Sequence, residues 1–540
     1  MMKFKSIYLS AALALFLASC GSSKKITATP LAINTTITAK KADLTDIQEE
    51  RWSHLDLLTD TIPGMSVDRA YSELLKDKKA DKIIVGVIDS GVDIEHPDLQ
   101  AVIWTNPKEI AGNGIDDDNN GYVDDIHGWN FLGDINHENM EFIRILKKGD
   151  DGSAIYKRAK EKYDEEYNHA LAGKMQMDFI QKADKSFQEL TGKENYTAED
   201  LKGLDIKDPN LAGVRNQFVM ILADLTREEL AKEVNSGVEH YNNELEYHLN
   251  LKYNAREILG DNPDDFSTKS YGNNNVIGPD KDGAKHGTHV SGIIAQVRNN
   301  GIGGDGIASN VVEIMAVRAV PDGDEYDKDV ALAIRYAVDN GAKVINGSFG
   351  KYFSTHSDWV YDAIKYAGEK DVLIVCAAGN EGTFLDKNGG VERYPNDNMV
   401  TGPEISDNFI CIGALNNKLT EKGLVAPFSN YGKNNVDVFS PGMRIYATTP
   451  DNHYEFLQGT SMASPNAAGV AALIRAYYPK LSASQVKHIL MDSGLAVNMQ
   501  VQVGEDDDKK VIMFSEASKS GKIVNAYNAL IMADQISRGK

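Results

Sequence analysis

Residues 82–91 read KIIVGVIDSG, an unbroken apolar run closed by Asp89, Ser90 and Gly91. A run with no polar alternation predicts a strand buried on both faces, as in a parallel sheet. Further runs of the same kind follow: VEIMAVRAV (312–320), AKVINGSFG (342–350), VLIVCAAGN (372–380) and FICIGAL (409–415). Between them, DVALAIRYAVDNG (329–341) and DWVYDAIKYAGEKD (358–371) place apolar residues at three- and four-residue steps and predict helices. Alternation of strand and helix predicts an α/β fold, a parallel β-sheet flanked by helices. Ligands of such sheets bind beyond the carboxyl ends of the strands, where DSG, GSFG and AAGN fall.

Residues 138–270 differ in character. Ile155, Ala159, Tyr163, Tyr167, Leu171 and Met175 recur every four residues among many charges and predict a long amphipathic helix. Thr226 and Glu229 have capping-box spacing ahead of a second helix, with Leu230, Val234, Val238, Tyr241, Leu245 and Leu249 on its inner face. The block reads as a helical insertion into the α/β domain, without internal repeat or catalytic pattern.

The 540 residues are 42% hydrophobic and 25% charged, a globular balance with length for a large core. A net charge of −22 argues against a nucleic-acid partner. It reads as a solvated surface, in which clustered carboxylates can also bind calcium. At the N-terminus, Lys3 and Lys5 precede an apolar run from Ile7 to Ala18, too short to span a bilayer permanently. Leu17-Ala18-Ser19-Cys20-Gly21 resembles the bacterial lipobox. That resemblance implies a signal peptide over 1–19, lipidation of Cys20 and a membrane anchor in the cell envelope, facing the periplasm or the cell surface. The other reading is an ordinary signal peptide with a chance cysteine. Residues 20–50 then serve as the lipidated tether, rich in Ser, Thr, Ala and Lys over 22–45. Cys376 and Cys411 lie in apolar runs and read as buried free thiols; a disulfide between them does not follow from sequence.

QGTSMASPNAAG (458–469) holds Ser461 and Ser464 among small residues. A nucleophilic serine needs a base to take its proton and a group to orient that base. Upstream lie KHGTHVSGI (285–293) and VIDSGVDIEHPDL (87–99). Asp89 ends a buried strand, His286 opens a helix rich in small residues, and Ser461 starts another whose first turn holds Pro465. Singly these fragments read as a strand-end turn, a metal-like pair and a helix cap. Together, in the order Asp, His, Ser, they predict a catalytic site.

DSGVD (89–93), HGTHVSG (286–292) and GTSMASP (459–465) resemble the signatures of the subtilisin-like serine proteases, the subtilases. The resemblance covers about 50–137 and 270–540 and implies a three-layer subtilisin-like catalytic domain over 51–540, interrupted by the 138–270 insertion. It implies a serine endopeptidase acting on proteins or peptides, in which Asp89 orients, His286 is the general base and Ser461 the nucleophile. Ser464 is then a packing residue. His289 is read as structural, since metalloprotease histidine pairs stand four apart around a glutamate. By the same resemblance Asn380 donates to the oxyanion beside the Ser461 backbone N–H. Ser348, Phe349 and Gly350 form the edge that pairs with an extended peptide, and Ala377, Ala378 and Gly379 one wall of the main pocket. Arg393 falls near that pocket's base, where it either favours an acidic substrate residue or is a solvated arginine.

Structural calcium is expected at two places. In NGIDDDNNGYVDD (113–125), Asp116, Asp118, Asn120, Tyr122 and Asp124 alternate, with Gly121 where an EF-type loop turns sharply. Flanking helices and the closing glutamate are missing, and a polar turn is the alternative. Asp98 and Asn300 match the family's calcium site, completed by carbonyls of Arg298, Ile302 and Gly304. The long interval between Asp89 and His286 departs from a simple subtilase, and the insertion explains it. Residues 21–51 are short for the usual inhibitory prodomain. The competing functional reading is a latent or non-catalytic subtilase-fold protein whose insertion binds a partner or covers the cleft.

Overall fold

The computed structural model describes residues 25–33, 40, 42–386, 393–397, 403–505 and 508–539. Every strand expected above forms: β1 (Ile83–Asp89), β3 (Val312–Arg318), β4 (Ala342–Gly347), β5 (Leu373–Ala377) and β6 (Phe409–Leu415). Two short strands join them, β2 (Gly128–Asn130) and β7 (Val438–Pro441). Among the described residues one nine-stranded sheet runs Leu495–Ala496, Lys522–Ile523, β7, β6, β5, β4, β1, β3, β2. Each neighbouring pair is parallel except the first.

The central strands are buried along almost their whole length. Two helix pairs cover them. Lys285–Ala295 packs with Thr460–Tyr477, and Asp327–Asp339 packs with Ser357–Glu369. The Thr460–Tyr477 helix is buried on nearly every side, which explains its small residues. A Cβ on Gly469 would stand 2.5 Å from Ile307 Cβ. Ser464 Oγ donates to Asn346 Oδ1 at 2.7 Å, pinning the helix to β4. β5 and β6 set Cys376 beside Cys411 in register, and both thiols are free.

The insertion is helical, with Glu141–Lys147, Ala154–Thr191, Pro209–Ile221 and Arg227–Asn243 its principal helices. The capping box at Thr226 and Glu229 is formed. The long helix departs from the expected stripe. Tyr167, Leu171 and Met175 are exposed, and the buried residues are Ala159, Ala170, Ala183 and Phe187. A four-residue step overshoots a 3.6-residue turn by about 40°, so a strict repeat of four drifts round the helix and off any one face. Two small apolar clusters result. One, at the foot, packs Phe142, Ile143, Ala159 and Leu249 against Phe353 of the catalytic body. The other, at the tip, holds Phe187, Tyr196, Phe218 and Leu230.

Cys20 and residues 1–19 lie outside the described residues. Part of the expected tether lies along the Ala526–Ser537 helix instead. Ile26 N–H donates to Asp534 Oδ2 at 3.2 Å and Leu31 N–H to Asn528 Oδ1 at 2.7 Å. Among the described residues no helix is long and apolar enough to cross a membrane.

Candidate active site

β1 ends on Asp89, whose Oδ1 accepts from Ser90 N–H and from His286 Nδ1, each at 2.7 Å. A carboxylate only accepts, so the His286 proton sits on Nδ1 and leaves Nε2 as the basic nitrogen. Gly287 makes this approach possible, since a Cβ there would stand 2.2 Å from Gly91 O. Burial lowers the His286 basicity, but the Asp89 carboxylate outweighs it and holds the ring above its ordinary pKa of 6.5.

Ser461 is the second residue of the Thr460–Tyr477 helix. Its Oγ donates to Ser348 O at 3.1 Å, while Ser348 Oγ donates back to Ser461 O at 2.8 Å. The second bond has a cause in the sequence. Pro465 lacks the N–H that would reach the carbonyl four residues earlier, and that carbonyl is Ser461 O. Pro465 lies in the second turn of the helix, not the first. Among the described residues no hydrogen bond joins Ser461 Oγ to His286.

Asn380 Oδ1 accepts from Thr460 N–H at 2.8 Å and from Thr460 Oγ1 at 3.0 Å. Its Nδ2 has no hydrogen bond among the described residues, and neither has Ser461 N–H at the helix start, where backbone donors go unpaired. Gly459 lies between them at φ 148°, and a Cβ there would stand 3.5 Å from both nitrogens. Two donors thus share one open space.

Asp89, His286, Asn380 and Ser461 all line a single cleft of about 520 Å³. It opens at the carboxyl ends of β1, β4 and β5, as the sheet topology requires. Ser348, Phe349, Gly350, Ala377 and Gly379 line it too. Ala378 does not: it is fully buried, with its N–H on Ile412 O. Alternation along an extended segment turns it away. Sequence reasoning missed the wall from Val320 to Glu325 and also Tyr352 and Glu381. The wall follows directly on the end of β3, so the same rule of strand ends would have found it.

A family model of the subtilases matches residues 80–511. This chain belongs to the subtilase family. It is similar to a thermophilic serine proteinase of Bacillus sp. (strain AK1), 40% identical over 190 residues, 35% of this chain and 42% of that one. It is similar to subtilisin DY of Bacillus licheniformis, 36% identical over 219 residues, 40% of this chain and 72% of that one. A solved structure of a protease from Pseudoalteromonas arctica aligns at 28% identity over 46% of this chain and 70% of that one, with a TM-score of 0.36. The matched part thus spans less than half the length of the thermophilic proteinase.

In this subtilase Arg393 is buried, not solvated. It lines the cleft, and its guanidinium donates to Phe349 O at 2.6 Å and Pro395 O at 3.1 Å. Among the described residues no carboxylate stands within salt-bridge distance of it. Glu325 and Glu381 share the cleft; burial pushes the Glu325 carboxyl up to about 7 and raises Glu381 as well. His289 is buried, its Nε2 3.0 Å from Glu455 O, and burial lowers it to about 4. That is a structural histidine.

The alternating set of the 113–125 loop does not converge. Asp124 turns to the backbone, accepting from Gly112, Asn113 and Gly114 N–H at 2.8–3.2 Å. Asn120 accepts from Tyr122 N–H and donates to Asp125, and the Tyr122 ring packs against Trp129 and Tyr336. Asp116 and Asp118 meet Glu109 instead, with donor oxygens of all three within 4.8 Å. Glu109 Oε2 is buried without a hydrogen-bond partner, so this trio of carboxylates fits a hard cation. Glu109 lies outside the spacing pattern and gives no sequence signal. Asp98 and Asn300 are in contact, Asn300 Nδ2 donating to Asp98 Oδ1. Burial raises Asp98 to about 6.

Proposed function

We propose that this subtilase is an exported serine endopeptidase, anchored by a lipid on Cys20, that cleaves peptide bonds through an acyl-enzyme on Ser461. The observation that carries the reading is the hydrogen bond from His286 to Asp89 in the cleft that Ser461 and Asn380 also line. Ser461 Oγ turns from Ser348 O toward His286 Nε2, and the freed Ser348 carbonyl accepts an N–H of the extended substrate. Oγ attacks the scissile carbonyl carbon while its proton passes to Nε2. Asp89 stays ionised and stabilises the imidazolium. The new oxyanion accepts from Asn380 Nδ2 and Ser461 N–H. His286 then returns the proton to the leaving amine. Water repeats the sequence on the ester and releases the acid.

Substrate choice is assigned to Arg393. A buried guanidinium without a carboxylate is costly, and a substrate Asp or Glu side chain entering the cleft supplies the missing partner. A charged hydrogen bond of this kind is worth about 1.5–3 kcal/mol, or roughly 10- to 150-fold in kcat/KM. Profiling with peptides that differ only at the residue before the cleaved bond should show that preference, lost in Arg393→Gln. An unchanged profile in the variant refutes the assignment.

Calcium, where bound by Glu109, Asp116 and Asp118 or beside Asp98, supplies charge neutralisation to these loops and takes no part in the cleavage. The anchor rests on the Leu17–Gly21 segment alone. Metabolic labelling with a fatty acid should mark the protein and fail with Cys20→Ser. The first test of catalysis is fluorophosphonate labelling with calcium present, beside Ser461→Ala. Labelling lost in the variant supports the acyl-enzyme. Labelling of neither, in folded samples, favours the latent protein instead.

A further inference from the structure

His137, His248 and Asp322 come from three chain segments that meet at the foot of the insertion. His137 precedes it, His248 ends the turn Glu244–His248 that follows its Arg227–Asn243 helix, and Asp322 lies on the cleft wall beyond β3. His137 Nδ1 stands 2.8 Å and His248 Nε2 3.3 Å from one and the same oxygen, Asp322 Oδ2. One donor atom from each of the three lies within 4.8 Å of the other two. A tetrahedral centre with bonds of about 2.0–2.1 Å holds its donors roughly 3.3–3.4 Å apart. The His248 separation already matches this, and the His137 separation needs to open by about half an ångström.

A hydrogen-bonded clasp accounts for His137 but not for His248. Its Nε2 is buried, faces the carboxylate and makes no hydrogen bond. The surroundings hold the three groups in place. Glu138 N–H donates to Asp322 O at 2.8 Å, and Asp322 N–H to Asn136 O at 2.9 Å. The His137 ring stacks on Tyr247, centroids 4.2 Å apart and planes within 3°. Tyr253 Oη donates to His137 O at 3.0 Å. The Asp322 side chain is 52% exposed, which leaves one side of the trio open to water.

We propose that His137, His248 and Asp322 bind a transition-metal dication of the zinc class, with water as the fourth ligand. Two imidazoles and one carboxylate suit zinc or cobalt, whereas calcium and magnesium take oxygen donors. Three protein ligands with an open fourth position are the usual number for an accessible zinc centre. The ion ties the insertion to the catalytic cleft. Two residues beyond Asp322, Asp324 Oδ2 accepts from Glu141 N–H at 2.7 Å, the first residue of the insertion's first helix. Occupancy therefore adds a second tie between the insertion and the same wall and neutralises the Asp322 charge beside the cleft.

The test uses the full chain carrying Ser461→Ala, which removes self-digestion, with calcium present throughout to fill oxygen sites. Zinc binding is measured by equilibrium dialysis, and cobalt binding by visible absorption, in this parent and with His248→Ala or Asp322→Asn added. The expected result is one equivalent of zinc and an intense cobalt spectrum in the parent, both lost in each variant. Asp322→Asn is nearly isosteric, so it decides the matter alone if His248→Ala fails to fold. Equal zinc stoichiometry and affinity in the parent and a folded Asp322→Asn overturns the proposal. So does a parent that binds no zinc.

Discussion

In the proposed reaction His286 acts as a base only when neutral, yet Asp89 raises its pKa. The acid limb of kcat/KM therefore lies above the ordinary histidine value near 6.5. Asp89→Asn removes the cause of that rise, so the limb should move to lower pH. Because an amide no longer enforces the proton on Nδ1, kcat should also fall by about 10⁴. The sign for stability is opposite. A histidine raised in the folded state stabilises fully below its unfolded pKa, and that contribution vanishes as pH rises through the folded value. In a Ser461→Ala background, Asp89→Asn should therefore cost more stability in acid than in alkali, as urea midpoints across pH would reveal. Asn380 makes a second prediction at this scale. Its Oδ1 is committed to Thr460, which leaves Nδ2 to face the oxyanion, so Asn380→Ala removes that donor together with the acceptor that holds Thr460. Removing such a donor from a subtilisin costs about 10²–10³ in kcat, and that relative's figure sets the scale expected here. A change confined to KM would argue against the oxyanion role.

Between residues and the whole lie the elements, where the sequence was most and least legible. Buried parallel strands are read with ease, because a strand covered on both faces has no polar alternation to lose. Four expected positions failed for local reasons. The four-residue stripe from Ile155 to Met175 mistook recurrence for a face. Asp124 fits the spacing of a calcium loop, but the 112–114 backbone claims both its oxygens. Ala378 was placed on the pocket wall although alternation sends it inward. Pro465 stands one turn deeper than expected, and that displacement has a use. It strips Ser461 O of its helical donor, and Ser348 Oγ takes the place. Ser348→Ala should leave that carbonyl unpaired at a cost of about 1–3 kcal/mol. With Pro465→Ala already present, the residue at 465 supplies an N–H, and the same Ser348 change should cost less. A double-mutant cycle in urea measures the coupling; additive costs would mean that the two sites do not share the carbonyl. The clasp of His137, His248 and Asp322 was invisible for a different reason: its members are far apart in the chain, and none sits in a motif.

At the scale of the molecule the insertion is two things. Its foot is joined to the catalytic body by buried charge. Lys351, next to Gly350 of the cleft, is 2% exposed, and its Nζ lies 3.2 Å from Glu141 Oε2, 3.1 Å from Asp327 Oδ1 and 2.7 Å from Glu325 O. Burial lowers the Lys351 pKa, but these carboxylates outweigh it and hold the ammonium above its usual range. Beside it, Arg144 pairs with Glu141, and Arg256 with Asp329. Removing one member of such a network strands the others. Lys351→Met should therefore cost about 3–5 kcal/mol, and adding Glu141→Gln should recover part of it. The tip, by contrast, rests on its own small apolar cluster and reaches the catalytic body through two helices, Ala154–Thr191 and Arg227–Asn243, the second running on into Glu244–His248. Hydrogen exchange should resolve the two. Amides of Glu141–Lys147 should exchange with nearly the free energy of the sheet, while those of Pro209–Ile221 open at much lower cost. Lys351→Met should then speed exchange in Glu141–Lys147 and leave Pro209–Ile221 unchanged. If both respond alike, the insertion is a single cooperative unit, and a change at its tip is felt at the cleft.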